Sequence, residues 1–328
     1  MSTLVTSRSW RDGVVTDDDL TRDELARAVH DRDVLVWIDL LAPSSERLAE
    51  IAEELGLPVT AVEDALAPKE RPKLIRHDSH LFFTTYAVLP AEGDSQGMAQ
   101  RTTRVSGWCL PSALVTIRLD DRFSMAPVVA FWEENPHLLR EGSGALLHGL
   151  LDAVVDTHFE AIEALDDQLE ALEDVLFEER TTGASFARKV YGIRKDLVAL
   201  RRVVLPMREV VTGLMRHPDI DSSALRPWFD DLTDHVLRAG EWTESLRDLL
   251  TSAFETNLSL TDSRLNTIMK KLAAWGAIIA VPTAITGWFG QNVPYFGYAQ
   301  PVGVVLSAAL VVVGVVVLYA LFRRNNWL

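Results

Sequence analysis

The chain has 328 residues, enough for a soluble domain of ordinary size and a further element, and it carries a formal net charge of −15. So negative a charge excludes nucleic acid as a partner, because the phosphates of nucleic acid require a basic protein face. The summed field of an acidic protein attracts cations instead. A single cysteine, Cys109, excludes an internal disulfide framework and fits a reducing compartment.

Residues 1–142 are interpreted as an α/β domain. Runs rich in β-branched and aromatic residues predict three strands, at residues 34–38, 81–89 and 113–118. After the first strand, Ser44 or Ser45 caps a helix that ends at Gly56. The N-terminal segment is polar and has no apolar core of signal-peptide length, so we expect this domain to stay in the cytoplasm.

The segment His77-Asp78-Ser79-His80 contains three side chains that can bind a metal ion. It has two interpretations, a metal cluster or a polar turn before the strand at residue 81. The turn is favoured.

Residues 143–271 predict a helical stalk or bundle. Apolar residues recur at helical spacing over 151–176 and over 185–216, and a third helix begins near Arg226 and, after Pro227 in its first turn, meets no proline before residue 282. A basic flank on the second helix and an acidic stripe on the first favour an antiparallel pair. The stripe is interpreted as a solvated face or as a surface that attracts cations. Its members are Asp152, Asp156, Glu160, Glu163, Asp167, Glu170 and Asp174.

Two uncharged apolar runs, at residues 272–289 and 302–322, are long enough to cross a bilayer core, which takes about 17–20 helical residues. The connecting segment 290–301 carries no charge, whereas basic pairs stand at the far ends of both runs. By the positive-inside rule, the runs form a hairpin in the cell membrane with both chain termini, including the tail 323–328, in the cytoplasm. The four basic residues are Lys270, Lys271, Arg323 and Arg324.

The first apolar run ends in Gly290-Gln291-Asn292, directly before the short loop. At this position the tripeptide resembles the Gly-Met-Asn signature of the CorA family of divalent metal-ion transporters. Segments 37–74 and 228–272 are similar to the opening segment and the stalk helix of that family. The final FRRNNWL is similar to its basic ending. The resemblance covers nearly the whole chain, which is identified as a member.

The resemblance implies a homopentameric funnel whose pore is lined by the first span, a selectivity filter at Gly290, Gln291 and Asn292, and a cytoplasmic ring of the four basic residues. Five amide oxygens from Asn292 could hold a hydrated magnesium ion through its waters, because Mg²⁺ prefers oxygen ligands and dehydrates reluctantly. Small residues on one face of the span fit either a narrow conduit or simple helix packing. The expected pore-lining residues are Asn266, Met269, Leu272, Ala273, Gly276, Ala280, Thr283 and Gly287.

The expected function is transport of divalent cations, with magnesium favoured and cobalt and nickel also carried. The membrane potential would supply about 4.6 kcal/mol for two charges crossing 100 mV. Magnesium is expected both as substrate and as an intracellular ligand that gates the pore. By resemblance, Asp231 falls at a regulatory site between subunits, for which Asp78 and Glu92 are poorly matched partners. The sequence contains no nucleotide-binding loop or enzyme motif, so neither catalysis nor an organic cofactor is expected.

Two departures from the family pattern leave alternatives open. Gln291 replaces the usual Met, and the loop lacks the acidic residue common in magnesium-transporting members, carrying Tyr295, Phe296 and Tyr298 instead. A weaker attraction for cations puts the selectivity in question. A zinc transporter of the same family and a non-conducting, membrane-anchored metal sensor are the alternatives.

Overall fold

A computed structural model describes residues 4–67, 70–91, 97–176, 183–217, 222–291 and 294–328. The chain divides into two compact units, Met1–Thr251 and Ser252–Leu328. The first combines a β-sheet with helices, and the described regular structure of the second is helical. The predicted class, an α/β domain with a long helix and two C-terminal apolar helices, is confirmed.

The first unit is built on a seven-stranded sheet with the order β2-β1-β3-β7-β6-β5-β4. Only β3 and β7 pair in parallel; all other neighbours are antiparallel. The three predicted strands are present as β3, β5 and β7. The strands are β1 Leu4–Arg11, β2 Val14–Asp18, β3 Leu35–Leu41, β4 Lys73–Arg76, β5 Leu81–Val88, β6 Thr102–Leu110 and β7 Ala113–Arg118.

The central strands of the sheet are buried on both faces, and because successive side chains of a strand point to opposite sides, these strands contribute to two separate cores. In β3, Val36 and Ile38 pack beneath helices on one face, whereas Leu35 and Trp37 belong to the core on the other. The first three helices are α1 Arg22–His30, α2 Ser45–Glu54 and α3 Val59–Leu66. The predicted cap of α2 is confirmed, since the Ser44 side chain accepts a hydrogen bond from the Arg47 amide at 3.2 Å.

Four strands were not predicted, because polar side chains interrupt their apolar pattern. In β1, Ser7 and Ser9 are buried. In β6, Arg104 is buried and donates to the carbonyls of Ala65 and Ala67 at the end of α3, both at 2.6 Å. These bonds satisfy carbonyls that have no partner within the helix itself.

The remaining helices are α4 Met98–Arg101, α5 Ala126–Glu134, α6 Pro136–Leu139, α7 Ser143–Leu176, α8 Gly183–Val204, α9 Met207–Leu214, α10 Arg226–Phe289 and α11 Pro301–Arg324. The single helix predicted over 185–216 is wrong. The chain breaks between α8 and α9 at Pro206, which has no amide hydrogen to donate and whose ring opposes the preceding turn. The start of the third long helix near Arg226 is confirmed, and α10 continues through Pro282.

The segment from His77 to His80 forms the turn between β4 and β5. The His77 amide donates to the His80 carbonyl at 2.9 Å, and the two rings stack with centroids 4.5 Å apart. Burial, and then the neighbouring His77, lowers the pKa of His80 to about 4. In the described parts of the chain, no group of three or more His, Cys, Asp or Glu side chains could hold a metal ion. The turn interpretation therefore fits, and the metal cluster does not.

Candidate functional site

Among the described residues, two helices are long and apolar enough to cross a membrane, α10 in its C-terminal part and α11. Large apolar side chains along both are exposed, among them Leu272, Ile279, Val304 and Val316. So continuous an exposed apolar surface is unfavourable in water, and a lipid environment accommodates it.

The C-terminal part of α10 has one side that is packed and one that is open. Val281 lies over Gly314 of α11. A Cβ added to Gly314 would lie 2.8 Å from Cγ1 of Val281. Ala274 and Ile278, which are buried, and Ile285 and Phe289, which are half-buried, lie on the same side at helical spacing. This is the packed side.

The expected pore-lining residues lie on the open side. At 3.6 residues per turn they form one stripe, about opposite the packed side, and every member is exposed. A Cβ built on Gly276 or Gly287 meets no described atom within 4 Å. The stripe runs through Asn266, Met269, Leu272, Ala273, Gly276, Ala280, Thr283 and Gly287.

Thr283 presents its hydroxyl oxygen on this open side. The hydroxyl donates its hydrogen to the Ile279 carbonyl at 3.1 Å, and Thr286 donates in the same way to the Pro282 carbonyl at 2.8 Å. Because the hydrogen of Thr283 is used within the helix, its oxygen is left as an acceptor toward the open side. An acceptor suits a cation or the water molecules around it.

The filter tripeptide follows the last turn of α10. The Gly290 amide donates to the Thr286 carbonyl at 2.8 Å, and the Gln291 amide donates to the Trp288 carbonyl at 3.3 Å. Both residues are exposed. Asn292, the main filter candidate, lies outside the described residues.

The four basic residues share one end of the hairpin. Lys271 precedes the crossing of Val281 and Gly314 by ten residues on α10, and Arg324 follows it by ten on α11. At 1.5 Å per residue, both lie about 15 Å along their helices from the crossing. Lys270, Lys271, Arg323 and Arg324 are all exposed.

The regulatory candidate Asp231 is exposed near the start of α10 and lies beside two groups that sequence analysis did not connect with it. His235 Nε2 is 3.8 Å from Asp231 Oδ2, and His235 Nδ1 is 3.9 Å from Asp152 Oδ1 on α7. These distances exceed hydrogen-bond length. Of the poorly matched partners, Asp78 lies in the β4–β5 turn and Glu92 lies outside the described residues, and the pairing of either with Asp231 between subunits stays a prediction.

The electrostatics of this cluster follow from its partial burial. Burial raises the pKa of the Asp152 carboxyl, with the Asp231 charge adding to the rise and His235 opposing it. Burial lowers the pKa of the nearby His148, whose Nε2 donates to the Trp228 carbonyl at 3.0 Å. The sequence signal for His235 was its position four residues after Asp231 on a helix. No sequence signal distinguished Asp152 from the other members of the acidic stripe.

The acidic stripe of α7 is solvated at six of its seven positions, Asp152 being half-buried. Although the Asp156 side chain is exposed, the surrounding protein withholds part of its hydration, and this, followed by the neighbouring Asp152 charge, raises the pKa of Asp156. The interpretation of a solvated face therefore fits most of the stripe.

Comparisons with known proteins agree with one another. The family model for the CorA-like Mg2+ transporter protein matches residues 32–324. The cobalt/magnesium transport protein CorA of Methanocaldococcus jannaschii is 30% identical over 302 residues, which cover 90% of this chain and 92% of that protein. The complete structure of the CorA magnesium transporter from that organism superposes with a TM-score of 0.77 at 26% identity and covers all of both chains. The zinc transport protein ZntB of Yersinia pseudotuberculosis is 28% identical over 198 residues, 57% of each chain.

Proposed function

The chain belongs to the CorA family, whose members are metal-ion transporters and not enzymes, and from this premise we propose that it conducts divalent cations along α10 with magnesium as the favoured substrate. The observation that carries the proposal is the open side of α10. It bears small or oxygen-presenting residues such as Gly276, Thr283 and Gly287, and it leads directly to the filter turn at Gly290.

A conduit requires several copies of the hairpin, because one copy leaves the open side of α10 without a partner. The proposed assembly is a homopentamer in which the open sides surround the axis. Small side chains let the helices approach closely, so five copies would leave a narrow passage. The family resemblance and the match to the complete CorA structure support this arrangement.

Conduction along this passage requires weak, oxygen-based contacts. Mg²⁺ keeps much of its water shell, so neutral acceptors suit it better than tight carboxylate ligation. Thr283 supplies a hydroxyl oxygen, and Asn292 is proposed to supply the amide oxygen of the filter. Both chain termini are proposed to lie in the cytoplasm. An inside-negative potential of 100 mV would drive a divalent ion inward with about 4.6 kcal/mol.

Regulation is proposed to involve Asp231. The ring of His235 lies 3.8 Å from the Asp231 carboxylate and 3.9 Å from that of the half-buried Asp152, but the described residues provide no group of three side chains that could hold a metal ion. An intracellular cation would therefore need ligands from a second copy of the chain. A cation that binds the closed assembly better than the open one shifts the equilibrium toward closure.

Zinc transport is the second candidate. The relative from Yersinia pseudotuberculosis supports it, and so does the absence of any charge in the sequence of the loop from 290 to 301. An uncharged mouth attracts a hydrated magnesium ion less strongly than an acidic one.

Uptake into proteoliposomes tests these alternatives. Purified protein is reconstituted with a metal-sensitive dye inside, and Mg²⁺, Co²⁺, Ni²⁺ and Zn²⁺ are added separately with and without an inside-negative potassium diffusion potential. The proposal predicts Mg²⁺ uptake that accelerates with the potential. Uptake of Zn²⁺ alone would favour the zinc alternative. Absence of uptake for all four ions, with folded protein present in the vesicles, would favour the non-conducting sensor.

A further inference from the structure

The carbonyls at the C-terminal end of α10 need partners, since the last turn of a helix has none within the helix and a membrane provides little water. The amides of Gly290 and Gln291 satisfy the carbonyls of Thr286 and Trp288. The carbonyl of Phe289, the last helical residue, is satisfied by a side chain from beyond the turn. The Tyr295 hydroxyl donates to it at 3.1 Å.

The Tyr295 ring adds contacts to this hydrogen bond. It packs edge-to-face against Phe289 with centroids 4.9 Å apart, and against Tyr298 at 5.4 Å. Such pairs are attractive beyond the effect of the area that they bury. Tyr295 is half-buried, although it stands in a loop whose next residue, Phe296, is largely exposed.

The same loop is held to the start of α11 by two glycines. Gly297 has φ of +80°, and a Cβ on it would lie 2.9 Å from the Gly303 amide nitrogen. A Cβ on Gly303 would lie 2.4 Å from the Gly297 carbonyl oxygen. Only residues without a side chain allow this approach. Two turns lie between Tyr295 and the start of α11. The Tyr298 amide donates to the Tyr295 carbonyl in the first turn, and the Gln300 amide donates to the Gly297 carbonyl in the second.

We propose that Tyr295 is a positioning residue for the outer mouth of the pore. Its hydroxyl and ring fix the glycine-bound loop to the last residue of α10, and so hold the turn at Gly290 and Gln291 in place. The loop of this chain has no acid that could attract the ion, and Tyr295 contributes geometry rather than charge. The consequence for conduction rests on the proposed function, whereas the anchor itself does not.

The first test is independent of transport. Amide hydrogen exchange is measured by mass spectrometry on the full-length protein in nanodiscs, for peptides covering Gly290–Gln291 and 298–303. Tyr295→Phe keeps the ring and removes the hydroxyl, and is expected to accelerate exchange of both segments about tenfold, which corresponds to about 1.4 kcal/mol and matches a part-buried hydrogen bond to a backbone carbonyl. Tyr295→Ala should accelerate it further.

Tyr298→Phe is the matched control, because it also removes one phenolic hydroxyl from the loop, and the described residues offer that hydroxyl no hydrogen-bond partner. Its exchange should equal that of the wild type. Equal exchange in wild type and Tyr295→Phe would overturn the anchor, whatever the transport result.

The second test separates position from charge in proteoliposomes. Tyr295→Phe should lower the maximal Mg²⁺ uptake rate severalfold and leave the half-saturating concentration unchanged. Tyr295→Glu should lower the half-saturating concentration by attraction, and also lower the maximal rate because the anchor is lost. Faster exchange in Tyr295→Phe with an unchanged uptake rate would overturn the positioning role. A wild type that takes up no ion would refute the proposed function while the exchange experiment still decides the anchor.

Discussion

His158 on α7 offers a quantitative test of how the first unit is held together. Its ring is almost completely buried, and Nε2 donates to the Tyr86 carbonyl of β5 at 2.7 Å. Burial lowers its pKa from 6.5 to about 4, with the bond to Tyr86 opposing the change. The neutral ring thus joins the helix that carries Asp152 to the sheet.

The sign of the pH dependence follows from the lowered pKa. Above pH 6.5 His158 is neutral in both the folded and the unfolded states, so its contribution is fully present. As the pH falls from 6.5 toward 4, the unfolded state binds the proton first and the folded state loses stability. Between about pH 7.5 and pH 5 the loss amounts to about 2 kcal/mol, at 1.36 kcal/mol per pKa unit.

His158→Gln keeps an N–H donor for Tyr86 and removes the titration. Thermal unfolding of the full-length protein is followed by tryptophan fluorescence, to which the buried Trp37, Trp108 and Trp132 of the first unit contribute. The wild type should lose roughly 4–8 °C more than the variant on going from about pH 7.5 to pH 5. The comparison cancels the other titrating groups. An equal loss in both proteins would refute the reasoning.

Three further predictions concern the membrane hairpin and its regulation. A cysteine at Gln300, in a Cys109→Ser background, should react with an impermeant maleimide in intact cells; reaction only after lysis would exclude the proposed orientation. Gly287→Val should leave the fold of each chain intact, because open space surrounds Gly287 within one chain, but reduce uptake at least tenfold; unchanged flux would place the conduit elsewhere. Asp231→Lys should make trypsin sensitivity less dependent on added magnesium, and a wild-type magnesium response would remove Asp231 from sensing.

Sequence reasoning succeeded where one physical signal dominated. The uncharged runs of the hairpin, the uninterrupted helix from Arg226 and the Ser44 cap all follow from local composition. It failed where tertiary contacts overrode the local pattern. Strand β1 was not predicted because its buried serines interrupt the apolar pattern, and β6 was not predicted because Arg104, which bonds to α3, does the same. Pro206 divides a segment whose apolar stripe predicted a single helix.

The candidate site shows the same division. A stripe of small residues on α10 can be read from helical spacing, but that spacing alone could not place the stripe opposite α11. The grouping of Asp152 with Asp231 and His235 joins residues about eighty positions apart, on different helices, and no local pattern encodes it. Likewise, the hydrogen bond from Tyr295 to Phe289 depends on how the loop turns back.

Divalent cations are proposed to pass a ring of Asn292 amides at the end of α10, and uptake by the Asn292→Ala protein tests this proposal most directly. Wild type, Asn292→Ala and the control Gln291→Met are purified, checked for equal assembly by size-exclusion chromatography, and reconstituted at equal density. Magnesium uptake is recorded under an inside-negative potential. The account predicts that Asn292→Ala abolishes uptake, because a methyl group cannot accept a hydrogen bond from the ion's water shell, and that Gln291→Met retains it. Normal uptake by the assembled Asn292→Ala protein would contradict the account.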